Sequence, residues 1–214
     1  MFLLFLKRTD VLASRLCVVF LRLVSLGSFP ACWRQATVTP IPKGPPSPSV
    51  VNYRPISITS VLSKLFDLLV SVRLGRFMES SGVLPTIQFA YRKCVGTSDA
   101  HVCVSHTLKS ALESEQEARI VQVDFCTAFD RGNHHGIALS CRYWRFCVVY
   151  MIEFLSNRSQ HVMVDSCHSK LVNVVSGVPQ GSVLGPLLFL LYTSELFSIF
   201  FRISRSVMLM NPLC

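Results

Sequence analysis

The 214 residues carry 21 Lys and Arg against 12 Asp and Glu, a formal net charge of +9 with a pI near 9.3. Half are hydrophobic, only 15% are charged and the mean hydropathy is +0.45, which excludes a disordered chain and supplies a sizeable core for one or two domains. The basic excess suits a polyanionic partner, although a basic surface without a ligand would have the same composition.

No apolar window reaches the ~20 residues that a membrane span requires. Lys7, Arg8 and Asp10 interrupt the start, Arg15 and Arg22 break up the next stretch, and residues 187–192 are too few. A secretory signal carries its positive charge before the apolar run, not after it. The expectation is an intracellular protein, of cytoplasm or nucleus, neither secreted nor in a membrane. The nine cysteines are odd in number and form no C-x-x-C pair. They are expected to be reduced thiols, mostly buried as small apolar residues, with no disulfide-linked partner.

In chain order, Thr9 and Asp10 can cap a helix to about Val24, with Val11, Leu12, Leu16, Val19 and Leu23 on its inner side and Gly27 and Pro30 ending it. Residues 31–50 are a proline-rich extended arm in which 37–41 alternates as an edge strand, where prolines are tolerated. Residues 58–78 form the longest helical pattern, with Leu62, Leu65, Phe66, Leu69, Val72 and Phe77 on its apolar stripe. Ser98 and Asp99 cap a helix to about Leu112, with Val102, Leu108 and Leu112 inward. Residues 120–123 read as a short buried strand that delivers Asp124 at its tip, followed by a helix start at 127–130 that should continue through Asn133, His134 and His135. Those two histidines diverge by about 100° on a helix and predict no metal site. The stretch 138–149 is irregular, 160–164 and 171–175 alternate as a hairpin, and Gly181 or Ser182 opens an apolar helix to Leu196.

A carboxylate at the C-terminal tip of a buried strand, such as Asp124, can hold a divalent cation in a cleft. Facing it would be the glycine-rich loop SGVPQGSVLGP at 176–186. With VDFCTAFDR at 123–131, TVTPIPKG at 37–44, NYRPISITSVLSKLFDLLVSVRL at 52–74, QFAYRKCVGTSDA at 88–100 and SGVPQGSVLGPLLFLLY at 176–192, the chain resembles the reverse transcriptases of non-LTR retrotransposons. The resemblance implies an α+β right-hand polymerase: an N-terminal helix at 1–30, fingers at 31–119, a partial palm at 120–200 and an aberrant tail at 201–214.

It further implies that Asp124 is the catalytic residue and a ligand of Mg2+ or Mn2+. Lys43 and Arg54 would contact the incoming triphosphate, with Phe129 as the steric gate against a ribose 2′-hydroxyl and Gln180 beside the nucleotide. Gln88, Tyr91, Arg92 and Gly181 would meet the template. The implied partners are an RNA template, a DNA primer and deoxynucleoside triphosphates. Read from the residues alone, Lys43 and Arg54 could be solvated loop cations, Tyr91 a packing residue, Phe129 a core phenylalanine and the glycines a tight turn. Asp130 is read as neutralising a helix start.

The 214 residues contain no Tyr-x-Asp-Asp, the motif that should supply the remaining palm carboxylates. One carboxylate does not build a two-cation clamp, so the expectation is a truncated polymerase, inactive alone. The residues VMLMNPLC at 207–214 can be encoded by nucleotides that, shifted by two, read Tyr-Ala-Asp-Glu-Ser-Thr-Leu, as in a decayed element. Competing readings are a residual RNA-binding module, an inert pseudogene product and, more distantly, a metal hydrolase on Asp124 and Asp130.

Overall fold

The computed structural model of the protein describes residues 9–45, 47–114, 117, 120, 128–141 and 145–203. They form a mixed α+β fold. Helix α1 (Thr9–Leu26) leads through a 3-10 turn (Ala31–Trp33) into strand β1 (Gln35–Pro42), which turns back as β2 (Tyr53–Ile58). Then come α2 (Val61–Ser80) and α3 (Thr97–Glu113). Three helices follow at α4 (Ala128–Arg131), α5 (His134–Ser140) and α6 (Arg145–Leu155). Strands β3 (Arg158–Val164), β4 (Cys167–His168) and β5 (Val172–Val174) precede the last helix, α7 (Gly185–Ile203). Of the buried strand expected at 120–123, Ile120 is 67% exposed and in no strand, and 121–123 lie outside the described residues.

The sheet runs β2-β1-β3-β4, with β5 also paired to β3. The β1–β2 ladder is antiparallel, from Thr37 opposite Ile58 to Pro42 opposite Tyr53. β1 is therefore not the edge strand its prolines suggest. Its parallel partner β3 pairs only from Gln35 to Val38, so Pro40 and Pro42 lie past the last β3 partner and interrupt no bond to it. The hairpin read from alternation at 160–175 forms, as antiparallel β3 and β5 with Gln160 opposite Val172.

One face of the sheet buries Ala36 and Val38, and an aromatic core forms around residues of α1, α2, α6 and the 29–33 connection. Phe29 meets Trp33, Tyr150 and Phe154 edge-on at 5.6 to 6.0 Å, and Phe66 meets Phe20 at 5.0 Å. Such offset pairs add to the burial of large rings. The inner side of α1 runs through Leu16, Phe20 and Leu23, while Val19 is half exposed. On α2 the buried positions are Ser63, Phe66, Asp67, Ser71, Leu74 and Met78, and the expected Leu69 and Val72 face outward. The apolar pattern misplaces this stripe because three of its members are polar. Ser71 satisfies its hydroxyl on the Leu68 carbonyl, and Asp67 accepts a 2.9 Å bond from the Tyr150 hydroxyl.

Burial is the main force on Asp67, pushing its pKa from an ordinary 3.8 to about 6. The Tyr150 bond and the charges of Arg158 and Lys64 act against it. Arg158 is buried as well, its guanidinium lying 4.9 Å from the Phe154 ring centroid and donating to the Phe154 carbonyl, with burial drawing its pKa down. Arg34 donates to the Ser156 and Glu153 carbonyls and pairs with the Glu153 carboxylate at 2.6 Å. Two cations thus cap the C-terminus of α6, where unsatisfied carbonyls and the helix dipole favour them.

Two further expectations are corrected. Val102 and Leu112 on α3 are 69% and 68% exposed, so that side of the helix meets solvent and not core. Among the described cysteines, Cys141 is buried and Cys103 half-buried, while Cys17, Cys32, Cys94 and Cys167 are exposed. No described helix is long and apolar enough to cross a membrane.

Candidate functional site

The site is assembled by the loop at 176–185, which touches two distant parts of the chain. On one side it docks on the segment leaving α4. The Gly177 and Val178 amides donate 2.7 Å bonds to the Gly132 and Phe129 carbonyls, and the Ser176 hydroxyl donates to the Asp130 carbonyl. Gly177 has φ +81, and a Cβ there would lie 2.6 Å from the Asp130 Cα. Only glycine allows backbone against backbone at this separation. On the other side, the Ser57 amide of β2 donates a 2.7 Å bond to the Gln180 carbonyl. Gly181, at φ +102, would place a Cβ 3.2 Å from the Ser57 carbonyl oxygen and 3.4 Å from Ile56 Cγ2. The loop then closes into α7 with the Gly185 amide donating to the Ser182 hydroxyl.

This docking brings several of the sequence-derived residues into one region. Lys43 follows β1, and its amide donates 2.8 Å to the Asn52 carbonyl, extending the β1–β2 ladder beyond Pro42. Arg54 pairs with Ile41. The two-residue alternation of strands therefore puts Lys43, Arg54 and Ile56 on one sheet face, opposite that of Val38. Gly181 lies against Ile56 of this face, and Gly177 lies against Asp130. Asp130 is exposed by area, yet enough protein surrounds its carboxyl for desolvation to push its pKa up, with the Lys43 charge pulling it back. The β1–β2 hairpin, the α4 exit and the glycine loop thus share one neighbourhood. Phe129 is half-buried there, its ring 5.0 Å from that of Phe189 on α7, a packing contact.

Other residues are held elsewhere. Gln88 is 3% exposed and donates its side-chain amide to the Leu190 carbonyl of α7. Arg92 grips Glu79 through Nε and Nη2, at 3.0 and 2.6 Å, and donates Nη1 to the Pro85 and Gln88 carbonyls. That grip raises the Arg92 pKa and lowers that of Glu79. Two guanidinium donors therefore tie the 85–92 loop to α2, and two bonds from the third nitrogen close the loop on itself. Tyr91, between them, sits at φ +54 with its side exposed enough for contact, although partial burial raises its pKa. Asp124 lies outside the described residues. Among those described there is no group of three or more His, Cys, Asp and Glu able to hold a metal ion.

Sequence reasoning missed His134. The chain does not continue one helix through 133–135. Asn133 caps a new one, its carboxamide oxygen accepting from the His135 and Gly136 amides at 2.8 and 3.2 Å. From the first turn of α5, His134 Nε2 reaches the Gly177 carbonyl at 2.8 Å. The Asn-His pair at a helix start was the available signal.

Against this geometry stand the comparisons with known proteins. The family model described as reverse transcriptase (RNA-dependent DNA polymerase) matches residues 41–205. The chain is 34% identical over 182 residues to "Probable RNA-directed DNA polymerase from transposon X-element" of Drosophila melanogaster, spanning 84% of this chain and 20% of that protein. It is 32% identical over 185 residues to "RNA-directed DNA polymerase from mobile element jockey" of the same fly, spanning 85% and 20%. A third relative, "Probable RNA-directed DNA polymerase from transposon BS", is 34% identical over 185 residues, spanning 85% and 20%. The chain spans about a fifth of the length of the curated relatives it matches. Residue blocks, fold and relatives agree: the chain belongs to the reverse transcriptase family, in the kind carried by jockey-like non-LTR retrotransposons.

Proposed function

We propose that the chain supplies the fingers (31–119) and the first part of the palm (120–200) of an RNA-directed DNA polymerase. The observation that supports this best is the double docking of the 176–181 loop, on the α4 exit and on β2. It sets Gln180 and Gly181 on β2, the strand that carries Arg54, and Gly177 on Asp130, which feels the charge of Lys43. In this reading Lys43 and Arg54 take the phosphates of a deoxynucleoside triphosphate, the first as a compact charge and the second as a planar fork. Gln180 and Gly181 lie against the template and the nascent pair, where a glycine lets nucleic acid approach the backbone. Phe129 limits the space beside the sugar, and Tyr91 offers an aromatic face to a template base. Asp124 would be one ligand of a divalent cation such as Mg2+, which would supply charge neutralisation at the transferred phosphate.

The chain as given, with no Tyr-x-Asp-Asp, does not polymerise by itself and retains template–primer binding driven by its basic surface. The test pairs two assays on the 214-residue protein. Binding of an RNA template–DNA primer should weaken steeply with salt and fall several-fold in a Lys43→Ala/Arg54→Ala variant. Primer extension on poly(A) with Mg2+ or Mn2+ should be undetectable. Incorporation that Asp124→Asn abolishes would overturn the inactive reading, and salt-insensitive binding unchanged by the double variant would overturn the site.

A further inference from the structure

We propose that His134 is the positioning residue of the glycine-rich loop, holding the Gly177 carbonyl so that Gln180 and Gly181 meet β2 in register. A carbonyl only accepts, so the 2.8 Å contact requires the proton on Nε2 of His134. The backbone that carries the ring is held, because Asn133 caps the start of α5 and Ile137, one turn on, is buried in the core. Gly177 is buried, and without His134 its carbonyl would lose its side-chain donor at a part-buried contact. The amide of the same residue is bonded to Gly132, and the next amide to Phe129. His134 therefore completes a clamp in which both polar groups of Gly177 are fixed from the α4–α5 segment. Beyond the clamp the chain is gripped again only three residues on, at Gln180 by Ser57. A loop pinned at both ends over so short a span transmits a shift at Gly177 to Gln180. The functional consequence rests on the polymerase reading of Gln180 and Gly181; the clamp itself does not.

The test compares His134→Gln, which keeps a donor at similar reach, with His134→Glu, nearly the same shape but an acceptor when ionised. Amide hydrogen exchange of the 214-residue protein is followed at Gly177, Val178 and Ser57. The Gln variant should match the wild type. The Glu variant should exchange at least about tenfold faster at these three amides, with α2 and α6 unchanged. Equal protection in both variants would overturn the proposal. So would a loss in the Glu variant spread evenly through α2 and α6, because His134 would then hold the fold and not the loop. Exchange is read without nucleic acid, so a wild type that bound no template–primer would count against the polymerase reading while leaving the clamp to be decided by the amides.

Discussion

The aromatic core and the glycine-loop crossing hold the same chain together by opposite means. The core between α1, α2, α6 and the 29–33 connection is packed with large rings, and its stability follows from apolar area removed from water. The crossing of 176–181 over 129–134 brings backbone against backbone at Gly177. It is held by backbone hydrogen bonds made possible by a missing Cβ, joined by the side chains of Ser176 and His134. The first kind of contact tolerates a lost methyl group at a graded cost. The second accepts no added one. The proposed site is therefore positioned by the part with the least room for change.

Truncation in the core should have the largest effect. Phe66, 2% exposed and in contact with the rings of Phe20, Trp33 and Tyr150, is expected to lose about 4 kcal/mol of stability as Phe66→Ala in urea unfolding. Insertion at the crossing comes next. Gly177→Ala combines a left-handed backbone with contact against Asp130 and should cost about 3 kcal/mol. Unlike the core truncation, it should also weaken template–primer binding among molecules that remain folded.

A third prediction sharpens the contrast by adding charge to the core. Because the folded state raises the Asp67 pKa to about 6, it binds the proton more tightly than the unfolded chain. The associated stability is complete below pH 3.8 and is lost as pH rises through about 6. Between pH 4 and 7 this group should remove up to about 3 kcal/mol, taking 1.36 kcal/mol per pKa unit. In Asp67→Asn, which can still accept from Tyr150, that fall should vanish from a pH series of unfolding curves. The smallest effect belongs to Arg92→Met, which frees the 85–92 loop from α2. Its partly exposed pair with Glu79 is worth about 1 kcal/mol, and the loop amides should exchange faster while the core does not.

Legibility in the sequence divides along the same line. The β3–β5 hairpin was legible because alternation is a local signal, and α2 was legible as a helix. Its buried stripe was not, because Ser63, Asp67 and Ser71 find partners or burial that no periodicity reveals. The glycines at 177 and 181 signalled close approach, but not to which segments, since Asp130 and Ser57 lie far away in sequence. Arg92 and Gln88 have side chains suited to nucleic acid. Their fixation by Glu79 and by the Leu190 carbonyl depends on tertiary placement. No local pattern around His134 points to its partner, which sits 43 positions on.

The central claim, that the 176–181 loop joins the segment leaving α4 to strand β2, is tested most directly by NMR on the methyl-labelled protein. Ile56 Cγ2 lies within van der Waals reach of the Gly181 Cα substituents. A strong nuclear Overhauser cross-peak between the Ile56 γ2-methyl and the Gly181 Hα protons is predicted. An Ile56 methyl that shows cross-peaks to its strand neighbours and none to Gly181 would contradict the account.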